Sequence, residues 1–126
     1  MKVLNVIATA YRATLEEQDD TVVWLSHAMK GAGADLDVLL RGSAVNYAVK
    51  GQDAAGLRFG DEPQTQPPQL AGDLSSLMEK GVTVYVMDDD LQARGIQRDE
   101  LISGLEHISR DDVVGVLDRY DQVWHW

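Results

Sequence analysis

Residues 82–86 of this chain, Val-Thr-Val-Tyr-Val, form an apolar, β-branched run too short for a helix, and one residue later the chain turns into Asp88, Asp89 and Asp90. Such a run reads as a buried strand that ends at a polar loop. Strands of this kind belong to parallel sheets covered by helices, where ligands collect beyond the carboxyl ends of the strands. This stretch therefore sets both the fold class and the edge of the sheet at which chemistry is to be sought.

The remaining segments supply the partners that such a strand needs. Residues 2–10 (KVLNVIATA) read as a first, central strand, and residues 11–18, which carry Arg12, Glu16 and Glu17 without a clear period, as a loop. Asp19 or Asp20 can cap a helix whose inward stripe is Val22, Leu25 and Met29, with Gly31 or Gly33 as its left-handed stop. Residues 36–40 give a second strand, after which Ser43 can cap a short helix over 44–50 that Gly51 ends. Residues 52–69 lose all periodicity and hold Gly56, Gly60, Pro63, Pro67 and Pro68, so they are expected to be irregular, as a lid or a mobile loop. Leu70, Leu74, Leu77 and Met78 share one helical face that Gly81 terminates.

Past the acids, residues 91–93 can make a helical turn that Gly95 breaks, and residues 98–103 a short helix with Leu101 and Ile102 inward. Residues 105–108 are a weak strand candidate. Ser109, with Asp112 three residues on, begins a last helix bearing Val113, Val114, Leu117 and Tyr120, and residues 122–126 close the chain as a strand. Strands alternating with helical stretches make βαβ units. The expectation is one α/β domain over residues 1–126, a three-layer α/β/α sandwich on a five-stranded, mostly parallel sheet.

Composition removes several function classes. A net charge of −10, with lysine and arginine scattered, repels phosphate backbones and anionic lipid, so neither nucleic acid nor membrane is expected as a partner. The absence of cysteine excludes disulfides, thiolate nucleophiles, persulfides and thiolate-held metals on this chain. No segment approaches the roughly 18 apolar residues of a membrane span, and residues 1–10 lack the basic start and long apolar core of a signal peptide, so a cytoplasmic protein is expected. Neither a P-loop, G-x-G-x-x-G, G-x-S-x-G nor H-E-x-x-H occurs, and no cofactor is implied.

The segment VYVMDDDLQARGI (84–96), in which a strand passes through a short acidic turn into A-R-G-I, resembles the DsrE/DsrF-like sulfur-relay proteins. The resemblance extends to AVNYAVKG (44–51) and to the ending GLEHISRDDVVGVLDRYDQVWHW (104–126). It implies the same three-layer sandwich, assembled as a homo-oligomer, a trimer or hexamer. In the sulfur-carrying members the residue closing this strand is a cysteine that holds a persulfide, and the corresponding position here is Met87. A thioether has no ionisable proton and carries no sulfane sulfur, so sulfur transfer is not expected.

On a parallel sheet, Tyr11 lies just past strand one, Arg41 and Asn46 past strand two, and Met87 and Asp88 at the end of strand three, with Arg94 able to reach back. Tyr11, Arg41, Asn46, Met87, Asp88 and Arg94 are therefore the expected ligand-binding residues, with no catalytic residue and no metal ligand assigned. Asp88, Asp89 and Asp90 could instead hold a hard divalent cation for an enzyme acting on a small substrate. A solvated loop is the better reading, because three adjacent residues in extended chain cannot all face one point.

His27 lies at the edge of the first helix's stripe, where a packed or interface histidine is preferred to a base. Neither His107 nor His125 has a triad partner in sequence. Ser43 could offer backbone N–H groups to an anion, although ordinary capping explains it. Trp124 and Trp126 share one side of the last strand, with Val123 and His125 on the other, and need either a subunit interface or a helix to cover them. The resulting expectation is an accessory, non-catalytic DsrE-like protein that binds a small ligand or a protein partner. The alternatives are the metal-dependent enzyme and a purely structural oligomer subunit.

Overall fold

A computed structural model describes residues 1–11, 20–53 and 56–126 of the protein. Apart from Tyr11, the loop expected over 11–18 and the Asp19 alternative for the first cap lie outside the described residues. Five parallel strands form the central sheet: β1 (Lys2–Ile7), β2 (Asp35–Leu40), β5 (Val84–Met87), β6 (Glu106–Ile108) and β7 (Gln122–His125). Their spatial order is β6-β5-β2-β1-β7. A two-residue hairpin, β3 (Arg58–Phe59) with β4 (Glu62–Pro63), lies within the segment expected to be irregular.

The order has a functional consequence. From β1 the chain walks outward through β2 and β5 to β6, then returns across the sheet to place β7 on the other side of β1. Strand order thus reverses at β1, and a crevice opens beyond the strand ends where such a reversal occurs.

Side-chain alternation separates the two faces of the sheet. Asn5 of β1 meets α1 (Thr21–Gly31), its Nδ2 donating to Ser26 Oγ at 3.0 Å, and α2 (Leu70–Glu79) packs beside α1. Val6, Leu39 and Met87 point the other way, toward Val113 and Leu117 of α4 (Val113–Leu117). One face therefore carries two full helices. The other is covered by a helix of only five residues and the chain around it.

Several elements differ from the sequence expectation. β1 ends at Ile7, because the N–H groups of Ala10 and Tyr11 donate to Ser43 Oγ and Tyr47 Oη rather than to a neighbouring strand. Ser43 is thereby taken from helix capping, and the segment Gly42–Ala48 is a 3₁₀ helix with no side-chain cap. Asp20 does cap α1, its Oδ1 accepting from the N–H groups of Val22 and Val23. The fully buried residues of that helix are Val22, Val23 and Ser26; of the expected stripe, Val22 is buried, Met29 packs against the core and Leu25 is half-buried, while Ser26 turns inward because it serves the buried Asn5.

The three acids are not an extended loop. They form the first turn of α3 (Asp88–Ala93), where carboxylates favour the helix N-terminus. Arg98–Glu100 is a single 3₁₀ turn, after which Leu101 bridges Val49 in extended chain. In α4 the buried residue is Val116, whereas Val114 is 67% exposed.

Candidate functional site

The crevice at the strand reversal is a real cavity of about 310 Å³. Its apolar wall is built by Val6 of β1, Leu39 of β2, Met87 of β5, Val123 of β7, and Val113 and Leu117 of α4. These residues come from five separate elements because β1, β2 and β5 each contribute a residue near their carboxyl ends, and β7 and α4 close the thinly covered face beside them. Met87 is only 6% exposed, so it forms wall rather than rim.

Polar side chains gather at the mouth. Arg41, Asp90, Arg110 and His125 complete the lining. Gly42 makes this possible: its φ is 55°, and a Cβ there would lie 2.7 Å from the carbonyl oxygen of Ala8. Only glycine fits such a backbone approach in a left-handed conformation. The turn brings Arg41 to the mouth and lets Gly42 N–H donate to Asp90 Oδ2 at 2.7 Å. Asp89 Oδ1 accepts from the backbone N–H of Arg110 at 2.8 Å, which ties the start of the last helical segment to α3. Among the described residues, the side chains of Arg41, Arg110 and His125 have no hydrogen-bond or ion-pair partner.

The six residues expected at one edge fall in four places. Arg41 and Met87 line the cavity. Tyr11 and Asn46 lie with the Gly42–Ala48 turn: the Tyr11 hydroxyl donates to Gln52 Oε1, its ring meets Tyr47 edge-on at 5.5 Å, and Gln52 Nε2 donates to the Asn46 carbonyl. Burial raises the Tyr11 phenol above its ordinary pKa. Asp88 turns to the opposite side of α3, where its carboxylate accepts from Arg98 and sits 2.7 Å from His107 Nδ1. Arg94 is exposed and donates from Nη1 to the Asp90 carbonyl at 3.2 Å.

The Asp88 to His107 contact is one that sequence reasoning missed, since the partners are 19 residues apart and join only when β6 pairs with β5. His27 bridges α1 to α2, with Nε2 at 3.0 Å from the Asp73 carbonyl and Nδ1 at 3.0 Å from Lys80 Nζ. The lysine can only donate, so Nε2 carries the imidazole proton. Among the described residues, no group of three or more histidine, cysteine, aspartate or glutamate side chains is placed to hold a metal ion.

A second polar cluster lies on the cavity face at the opposite ends of the strands. Asp37 of β2 is 4% exposed and accepts from Thr83 N–H and the Tyr120 hydroxyl, both at 2.7 Å, with Lys2 Nζ at 3.3 Å. Burial first, then hydrogen bonding with Tyr85 and Asp37, pushes the Tyr120 phenol well above its ordinary value. This cluster clamps the chain leading into β7 to the sheet, and so holds one wall of the cavity.

With this geometry in hand, the sequence model of the DsrE/DsrF-like family matches residues 1–125. The chain belongs to that family. Solved structures agree on the fold of this DsrE/DsrF-like protein. The ychN protein from E. coli is 19% identical, with each chain covered in full and a TM-score of 0.70. A protein of unknown function from Bacteroides thetaiotaomicron, BT1422, is 12% identical over 99% of this chain and 94% of its own, with a TM-score of 0.70. MTH1491 from Methanobacterium thermoautotrophicum, also of unknown function, is 17% identical over 98% and 97%, with a TM-score of 0.62. No curated protein matches the sequence.

The α/β sandwich on a five-stranded parallel sheet is thus established for this DsrE/DsrF-like chain, as is the lack of a cysteine to carry sulfur. No helix among the described residues is long and apolar enough to cross a membrane. The cavity residues Arg110 and His125 escaped the sequence reading, because each lies far along the chain from Arg41 and Met87. A basic residue just before the last helix and another at the chain end carry no local signal of convergence.

Proposed function

We propose that this chain is an accessory, non-catalytic DsrE/DsrF-like protein that binds a small ligand in the cavity walled by Met87 and edged by Arg41. The observation that carries the reading is a pocket around a chemically silent residue: Met87 lines an open cavity of about 310 Å³, within the range of small-molecule sites. A thioether there can pack against a ligand but cannot take up sulfane sulfur. Of the six residues expected to bind, Arg41 and Met87 carry this proposal. We place the protein in the cytoplasm.

The test is a fragment screen by methyl NMR on the wild-type protein, using neutral, anionic and cationic small molecules. Shifts of the Met87, Leu39 and Val123 methyl groups are expected, and a Val123→Trp variant should suppress those of Met87 and Leu39 by filling the cavity. Silence of these methyls toward every fragment would end the small-ligand reading. Sulfane-sulfur transfer by the purified, metal-free protein would end the non-catalytic one.

Assembly as a trimer or hexamer is the companion proposal. It is supported by apolar surface left open at the end of the chain, where Val114 is 67%, Val123 41% and Trp126 40% exposed, Val123 on the cavity face and Trp126 on the α1 face of the sheet. A Trp124→Ala, Trp126→Ala double variant is expected to lower the mass seen by light scattering, and an unchanged mass would remove these indoles from the interface.

A further inference from the structure

We propose that the cavity takes a small amphiphilic monoanion of about ten non-hydrogen atoms in all, a carboxylate on an apolar body, with its head at the mouth and its body against Met87. This rests on the reading of the cavity as a ligand site, and names the class of ligand.

The charge distribution carries the argument. In a chain of net charge −10, the mouth of the cavity is lined by the guanidinium groups of Arg41 and Arg110 and by one carboxylate, that of Asp90, with the His125 imidazole beside them as a further hydrogen-bonding group; the neighbouring Asp89 carboxylate is taken up by the Arg110 backbone N–H. Asp90 does not neutralise them directly: its Oδ2 accepts from Gly42 N–H, and neither arginine is within ion-pair distance of it. Among the described residues, both guanidinium groups lack any protein partner, whereas Arg98 is paired with Asp88. Arginine offers a planar fork of donors that matches a carboxylate in two-point contact, and a local excess of positive charge on an acidic protein selects for anions.

The interior requires an apolar body. Behind the mouth, Val6, Leu39, Met87, Val113, Leu117 and Val123 offer no hydrogen-bonding side chain. A bare phosphate or sulfate would leave most of this wall in contact with water. The volume of about 310 Å³ equals roughly ten water volumes at ~30 Å³ each, which matches a whole ligand of about that many non-hydrogen atoms, head included. Arg41 and Arg110 are exposed while Met87 is buried, so the two ends of the site differ in the sense that an amphiphile needs.

The probes are octanoate, its neutral isostere octanamide, octylammonium and inorganic phosphate, titrated against the full chain by calorimetry and methyl NMR. Octanoate is expected to shift the cavity methyls and to bind at least about tenfold more tightly than octanamide, the ratio one charge-assisted hydrogen bond provides. An Arg41→Gln, Arg110→Gln double variant should lose that preference and keep octanamide binding. An Arg41→Lys, Arg110→Lys variant should fall between, since it keeps charge and loses the fork.

Equal affinity for octanoate and octanamide, or tightest binding of octylammonium, overturns the anion assignment while leaving a small-ligand site. Phosphate binding as tightly as octanoate overturns the amphiphile. Silence toward all four probes removes this inference, and only silence toward the wider fragment screen removes the site itself.

Discussion

Tyr120→Phe tests whether the cavity is held in shape from below. The hydroxyl donates to Asp37, a β2 carboxylate that is 4% exposed and has two other donors, Thr83 N–H at 2.7 Å and Lys2 Nζ at 3.3 Å. A hydroxyl has one proton, so the Tyr85 hydroxyl 3.3 Å away is left to donate to Tyr120. Phenylalanine keeps the ring that lies 5.1 Å under Lys2 Nζ, so the substitution isolates the hydroxyl. Removing one donor from a buried carboxylate costs about 2 kcal/mol, the middle of the range for hydrogen bonds to charged groups.

In urea, with a slope of about 2 kcal/mol per molar for a domain of this size, the unfolding midpoint should drop by about 1 M with the slope unchanged. The weaker Tyr85→Phe change should cost about 0.5–1 kcal/mol. A pH arm gives an independent reading. The Tyr120 phenol is raised in the folded state, chiefly by burial and then by Tyr85 and Asp37. The stabilisation is therefore complete below the ordinary tyrosine value of about 10 and is lost as pH climbs above it toward the folded value. Wild-type protein should lose stability above pH ~10 more steeply than Tyr120→Phe. A loss below about 0.5 kcal/mol, or equal alkaline slopes, would refute the argument that this buried network anchors the chain entering β7.

Two further substitutions probe the turns that place the site. Gly42→Ala puts a Cβ 2.7 Å from the Ala8 carbonyl at a φ of 55°, and should destabilise by about 2 kcal/mol or more, read as a fall in Tm of roughly 4 °C per kcal/mol. A Tm within about 2 °C of wild type would show that the turn relaxes freely. Asp20→Ala removes the acceptor of two N–H groups at the start of α1 and of the Tyr47 hydroxyl, and should cost about 3 kcal/mol in chemical denaturation, with Asp20→Asn milder; equal losses would assign the effect to burial rather than to capping.

Much of the frame was legible because its signals are local. The β-branched runs of β1, β2 and β5, the leucines of α2, and the Ser109 and Asp112 capping box all act between residues a few positions apart. Asp112 is held below the ordinary carboxylate range by the Ser109 N–H and then its hydroxyl, as that short-range pairing predicts. The inward face of α1 was legible only in part: Val22 and Met29 follow the period, whereas Ser26 points inward to meet Asn5, a partner 21 residues away that no periodicity reveals. The helical turn of the acids after β5 is not legible in the sequence, because carboxylates suit both a solvated loop and the first turn of a helix.

By itself the sequence determined the order of strands and helices, the family, and the exclusion of thiol chemistry, since these follow from pattern and residue type alone. Only the tertiary structure decided that Arg41 and Met87 share a cavity with Arg110 and His125, while Asp88 turns away to His107 and Tyr11 joins the neighbouring 3₁₀ helix. The physical reason is strand order: returning the chain from β6 to the far side of β1 brings its last residues beside the ends of β1, β2 and β5. Where a side chain ends up then depends on which strands become neighbours, and local spacing does not encode that choice.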